Sequence, residues 1–207
     1  MDYGMDLTRH EEWVKQLGTQ RGAEFSHMMH ERKRLLGLFQ ELCVLVDQPR
    51  QVHGRLQQTL PLFSGMVKDL LWREVLMGLS RYGDTPQVGR LPISLRSWLI
   101  RHTEDLTLSK KNHFQACVKE YEKALRPIKR MRDHYLAHSD ARNIGKKEPR
   151  KASFAQVEGA FMALEKALRT IAKYHGIPWF VDMPYPSSVG GAESFILLAI
   201  NSSHEHP

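Results

Sequence analysis

The chain has 207 residues, a formal net charge of +7, 42% hydrophobic and 26% charged residues, and two cysteines. That is enough apolar side chain to bury a core in one compact domain, and the positive balance points to polyanionic partners such as nucleic acid. Cys43 and Cys117 lie in apolar helical patterns without ligand or redox spacing, which excludes a disulfide scaffold and leaves two buried free thiols.

The opening MDYGMDLTRH is acidic and has neither the basic patch nor the apolar run of a secretory signal. Thr8 followed by Glu11 forms a capping-box pattern that opens a first helix carrying Trp13, Val14 and Leu17, and Gly18 and Gly22 are expected to interrupt it. A second helix follows. Phe25, Met28, Met29, Leu35, Leu36, Phe39, Leu42, Cys43 and Val46 recur at spacings of three and four, and Pro49 ends it. After a polar stretch, QVHGRLQQTL, a third helix from about Leu62 to Tyr82 carries Phe63, Met66, Val67, Leu70, Leu71, Val75 and Leu79, a regular pattern that predicts a central place in the core.

Glycines and prolines between Gly83 and Pro92 predict a loop, and a shorter amphipathic helix runs through Leu95, Trp98 and Leu99. A fourth major helix begins near Asn112 with Phe114, Cys117, Val118, Tyr121, Leu125, Ile128, Met131 and Tyr135, and Pro127 predicts a kink or a break in it. The stretch ARNIGKKEPRKAS has no apolar period and reads as an exposed basic loop. Ser153 and Gln156 then form a second capping box before a helix through Val157, Phe161, Leu164, Leu168 and Ile171 to about Tyr174. From Gly176 to Gly191 the tail is irregular, with a short helix expected at Ala192–Asn201. The longest apolar runs, such as FILLAI at Phe195–Ile200, fall far short of the roughly 20 residues of a membrane span, so a cytoplasmic protein without membrane contact is expected. The class is all-α: a helical bundle of four to five main helices, with an additional N-terminal helix and an irregular C-terminal tail.

One residue breaks the pattern. At about 100° per residue, Arg132 falls in the middle of the stripe formed by Phe114, Tyr121, Leu125, Ile128 and Tyr135, so it points inward or into a partner. A guanidinium stays charged there and must meet a carboxylate, a phosphate, several carbonyls or a wet cleft; a structural ion pair and a functional contact both satisfy it. His138 lies about 9 Å further along the axis and about 120° around it, so the two meet only if the helix loosens or a two-fold axis brings a second copy alongside. His134 and His138 share a face, but two histidines without further ligands at zinc spacing do not make a metal site. No GxxxxGK[ST], GxSxG or HExxH pattern is present, which argues against P-loop hydrolases, serine hydrolases and zincins.

The stretch RDHYLAHSD, with Arg132, Asp133 and His138, resembles the Arg-x4-6-His signature of the HEPN superfamily. Together with LLWREVLMGLSRYGD at Leu70–Asp84, it looks like the AbiU-type abortive-infection branch. The resemblance centres on residues 62–174, with residues 8–48 as a helical extension and 176–207 as a tail of one HEPN-like domain spanning 1–207. It implies a bundle that dimerises through the motif helices and cleaves RNA without metal or other cofactor. In that scheme His138 is the general acid or base, Arg132 the phosphate clamp and Asp133 an orienting group, with His134, Ser139 and Asp140 in support. Arg142, Lys146, Lys147, Arg150 and Lys151 form a track for the RNA backbone. A phage-defence or toxin setting would add an antitoxin protein as a possible partner. The alternative is a non-catalytic HEPN module that binds nucleotide, RNA or protein; a third reading is an all-α adaptor in which Arg132 is a buried ion pair.

Overall fold

Gly18 separates the first two helices of the computed structural model, which describes residues 7–48, 54, 61–86, 92–137, 152–179, 191, 192 and 196. Its φ of +83° lies in the left-handed region that glycine enters without strain, so the chain turns there. Among the described residues there are six helices and no strand: α1 Leu7–Leu17, α2 Thr19–Val46, α3 Pro61–Tyr82, α4 Leu95–Arg101, α5 Leu108–Ala137 and α6 Phe154–Tyr174. The all-α class expected from periodicity is the class observed.

Several boundaries differ from expectation for identifiable reasons. Gly22 does not break a helix; it lies buried in α2, where a Cβ would stand 2.4 Å from the Cα of Val14, so glycine there permits close approach to α1. Thr8 falls inside α1 rather than capping it. Helix α5 starts before Asn112, at Leu108, and continues unbroken through Pro127, which costs one backbone donor without ending the helix. Cys43 is half-buried and Cys117 buried, and neither forms a disulfide.

Contacts divide the chain into two units, Met1–Arg32 with Leu76–Val181, and Lys33–Val75 with Asp182–Pro207. In the first, α5 packs along α6, and Val157, Leu164 and Leu168 of α6 and Tyr121, Leu125 and Ile128 of α5 are fully buried. Helix α4 is short but well anchored: Ser94 caps it by accepting from Ser97 N, and Trp98 is sealed against Phe25 at 6.0 Å and His102 at 4.7 Å between ring centroids. Ser153 and Gln156 form the reciprocal capping box at the start of α6. Two charged groups are buried in pairs. The Glu24 carboxylate accepts from Arg101 Nη1 at 2.6 Å and pairs with His102 Nε2 at 2.9 Å, while Arg32, 7% exposed, meets Glu165 at 2.6 Å.

In the second unit Leu35, Phe39, Leu42 and Leu45 of α2 are buried, and Leu45 clusters with Ala192 and Ile196 and with the half-buried Val67 and Leu71 of α3. The Glu41 carboxylate accepts from Ala192 N at 2.6 Å, and a Cβ on Gly191 would stand 2.7 Å from its other oxygen, so a larger residue there would displace the end of that side chain. The expectation that all of α3 enters the core is corrected here. Val75, Leu76, Leu79 and Tyr82 are buried, but Leu62, Phe63, Met66 and Leu70 are exposed, because the first half of the helix is apolar on more than one face.

Candidate functional site around Arg132

The turn after α3 is fixed by three side chains that reach its carbonyls. Tyr121 Oη donates to Leu79 O at 2.5 Å, Lys129 Nζ to Gly83 O at 2.8 Å and Ser94 Oγ to Asp84 O at 2.8 Å. Gly83 permits this docking, since a Cβ there would lie 2.5 Å from Leu125 Cδ2 and 3.4 Å from Lys129 Cε. Burial pushes the Tyr121 hydroxyl well above its ordinary pKa, with the Asp84 charge adding to it, so it remains a neutral donor.

That turn delivers Asp84 to Arg132. Arg132 follows Ile128 by four residues and Leu125 by seven, so it occupies the core row of α5, yet its side chain retains 21% exposure because it stands near the end of the helix. Its Nε and Nη2 donate to Asp133 Oδ1 at 2.9 and 2.6 Å, and its Nη1 lies 3.5 Å from Asp84 Oδ1. Asp133 and Asp84 are 62% and 40% exposed, so this is an ion triad at the surface of the core rather than a sealed one. A guanidinium has five N–H groups. Two donate to Asp133 and the Nη1 end faces Asp84 as an ion pair, so among the described residues the Nη1 and Nη2 ends keep N–H groups without a hydrogen-bond acceptor. Chemically, the triad can hold one oxyanion edge-on, in competition with Asp133.

Of the residues singled out in the sequence, the structure thus brings together Arg132 and Asp133 and adds Asp84. The last of these had no assigned role, although it closes the stretch LLWREVLMGLSRYGD. No spacing rule pairs it with Arg132; the turn geometry does. His134 lies in α5 with its side chain outside the described part, and His138, Ser139, Asp140, Arg142, Lys146, Lys147, Arg150 and Lys151 lie outside the described residues. The described chain resumes at Ala152, whose N–H points to Met131 Sδ at 3.2 Å, one residue before Arg132.

A cleft of about 590 Å3 opens elsewhere in the same unit, beside Gly18, Arg21, Arg101 and His102. Arg21 pairs there with Asp105 at 2.5 Å, and Arg101 Nη1 and His102 with Glu24, while Arg101 Nη2 has no hydrogen-bond partner. Among the described residues, no helix is long and apolar enough to cross a membrane.

In comparison with known proteins, the family model for HEPN domains described as AbiU2 matches residues 19–179. No curated protein and no solved structure matches.

Proposed function

The chain belongs to the AbiU2 family of HEPN domains, and from that premise we propose that it is a metal-independent endoribonuclease of an abortive-infection system. The match spans residues of both contact units, which supports reading them as parts of one HEPN-like domain. The observation that carries the reading is the Arg132 guanidinium, placed in the core row of α5 and held by Asp84 and Asp133, with N–H groups that have no acceptor among the described residues.

The reaction needs few parts. The ribose 2′-oxygen attacks the adjacent phosphorus as a base removes its proton, the bond from phosphorus to the 5′-oxygen breaks, and an acid protonates that oxygen. The products are a 2′,3′-cyclic phosphate end and a 5′-hydroxyl end. His138 serves as acid or base, since an imidazole exchanges protons near neutral pH. Arg132 neutralises the charge that grows on the non-bridging oxygens, and Asp133 holds the guanidinium in plane. His134, Ser139 and Asp140 support the site. On one straight helix Arg132 and His138 diverge by about 120°, so the working unit is a homodimer in which the second copy completes the cleft. It acts in the cytoplasm on RNA, with an antitoxin protein as a possible inhibitor.

The test is incubation of the purified protein with mixed RNA in excess EDTA. Cyclic phosphate ends should appear, and Arg132→Ala and His138→Ala should each abolish them. One observation favours a second reading, a non-catalytic module: Asp133 occupies the Nε and Nη2 edge through which arginine most often grips phosphate in bidentate fashion. RNA that is bound but left intact at high protein concentration would establish that alternative.

A further inference from the structure

Helix α5 carries a second row of charge on its outer side. Lys119, Lys123, Arg126 and Arg130 follow one another at spacings of four, three and four residues, and all four are exposed. At about 100° per residue they fall within an arc of about 60°, roughly opposite the buried row of Phe114, Tyr121, Leu125 and Ile128. None of the four side chains makes an ion pair among the described residues. Three carboxylates flank the row and are already engaged: Glu120 with Lys166 and Glu122 with Arg96, both at 2.6 Å, and Asp133 with Arg132. Like charges three and four residues apart repel along a helix.

The row extends for about 16 Å, the axial length of about five nucleotides in a stacked strand. Its last member, Arg130, stands two residues before Arg132 but about 200° around the helix from it, so the row is a surface of its own. A second copy of this chain is a poor occupant, because a two-fold axis on this face would set four cations against four. An ordinary protein interface is also disfavoured: such surfaces are depleted in lysine at their centres and need an apolar core, and beyond Leu108 no large hydrophobic residue of α5 is exposed among the described residues. A polyanion with charges in line fits both the spacing and the sign.

We infer that this row binds the phosphates of an RNA strand along the side of α5 that faces away from Arg132. The inference rests on the reading of the chain as acting on RNA, but it concerns residues outside the triad and does not depend on cleavage.

Fluorescence-anisotropy titrations test it, using a labelled single-stranded RNA of mixed sequence and its uncleavable 2′-deoxy counterpart. The full-length protein is compared with the variant K119Q/K123Q/R126Q/R130Q. Affinity for both strands should fall at least about tenfold, and the slope of log K against log salt should flatten by about 3, the value for four lost phosphate contacts on a single strand. The thermal midpoint should stay level or rise, since the exchange removes repulsion. If the fourfold variant does not fold, K119Q/K123Q and R126Q/R130Q should each give about half that change in slope. Unchanged affinity and slope would overturn the inference, as would failure of the unsubstituted protein to bind either strand; the row would then be left to an acidic protein partner. The two readings part cleanly. Cleavage of RNA by the unsubstituted protein with unaltered binding by the variant removes the row and leaves the nuclease, whereas slope-sensitive binding without cleavage removes the nuclease and leaves the row.

Discussion

Asp84 Oδ1 lies 3.5 Å from Arg132 Nη1, although one residue closes the turn after α3 and the other stands near the end of α5. The contact is long and partly exposed, so its effect on stability is small, of the order of 0.5 kcal/mol. Its effect on the guanidinium is larger, because Asp84 and Asp133 approach from two sides and set the plane in which the remaining N–H groups lie. Asp84→Asn keeps the shape and the backbone bond from Ser94 while removing the charge. On the proposed ribonuclease reading, RNA affinity should rise as local negative charge falls, and kcat should drop about tenfold as the guanidinium loses its orientation, a change of about 1.4 kcal/mol. Single-turnover and steady-state cleavage assays separate the two effects; a fall in affinity with unchanged kcat would show that Asp84 does not position Arg132.

Gly83 is the hinge of that arrangement, and its neighbours leave no room for a methyl group. Leu125 is fully buried, so its Cδ2, 2.5 Å from where the Cβ of an alanine would stand, has little space to retreat. Gly83→Ala should lower stability by about 1–3 kcal/mol through overpacking. Leu125→Ala creates a cavity beside the same point, and the double variant should be more stable than the sum of the two single changes. Urea unfolding of the four proteins gives the coupling; simple additivity would show that the contact is unimportant.

The helices were legible because their apolar residues repeat at spacings of three and four, and because the capping box at Ser153 and Gln156 is a local signal. Arg132 was legible for the same reason, as the polar member of an apolar row. Asp84 was not, since its proximity depends on where Lys129, Ser94 and Tyr121 hold a turn. Gly22 was not either, because a glycine that ends a helix and one that admits a neighbouring backbone look alike in sequence. The exposed half of α3 escapes a periodicity argument, which reports which residues share a face and not whether another element covers it. The spacing of Lys119, Lys123, Arg126 and Arg130 is present in the sequence, but their lack of ion-pair partners is visible only in the fold.

Arg32 offers a test of a buried charge. It is 7% exposed, pairs with Glu165 at 2.6 Å and stacks 5.9 Å from the Trp179 ring, and its Nε has no hydrogen-bond partner. Glu165→Gln leaves the guanidinium with a weaker acceptor and should cost about 2–3 kcal/mol, less than for a fully buried pair because Glu165 is itself 31% exposed. Replacing both partners, Arg32→Met with Glu165→Leu, should recover most of that loss, since neither charge then needs solvation. Thermal and urea melts of the two variants decide the matter, and an equal loss in both would show that packing, not charge, dominates the site.

His175, at the C-terminal cap of α6, should make stability depend on pH. Burial lowers its pKa below the ordinary histidine range, the Arg21 charge lowers it further, and Asp105 opposes the shift. Its Nε2 is buried without a hydrogen-bond partner, so protonation in the fold would strand a charge. The sign follows from linkage: the unfolded chain binds this proton more readily than the folded one, so the contribution is complete above the unfolded pKa of about 6.5. It declines as pH falls below that value and levels off once pH is under the lowered folded pKa. His175→Phe removes the titrating group and keeps a ring against Trp98, whose centroid lies 6.2 Å away. The variant should therefore lose less stability than the unsubstituted protein between pH 7.5 and pH 5, as measured by urea unfolding at each pH. Groups that titrate alike in both proteins cancel in the difference. Parallel curves for the two would show that His175 binds its proton equally well folded and unfolded.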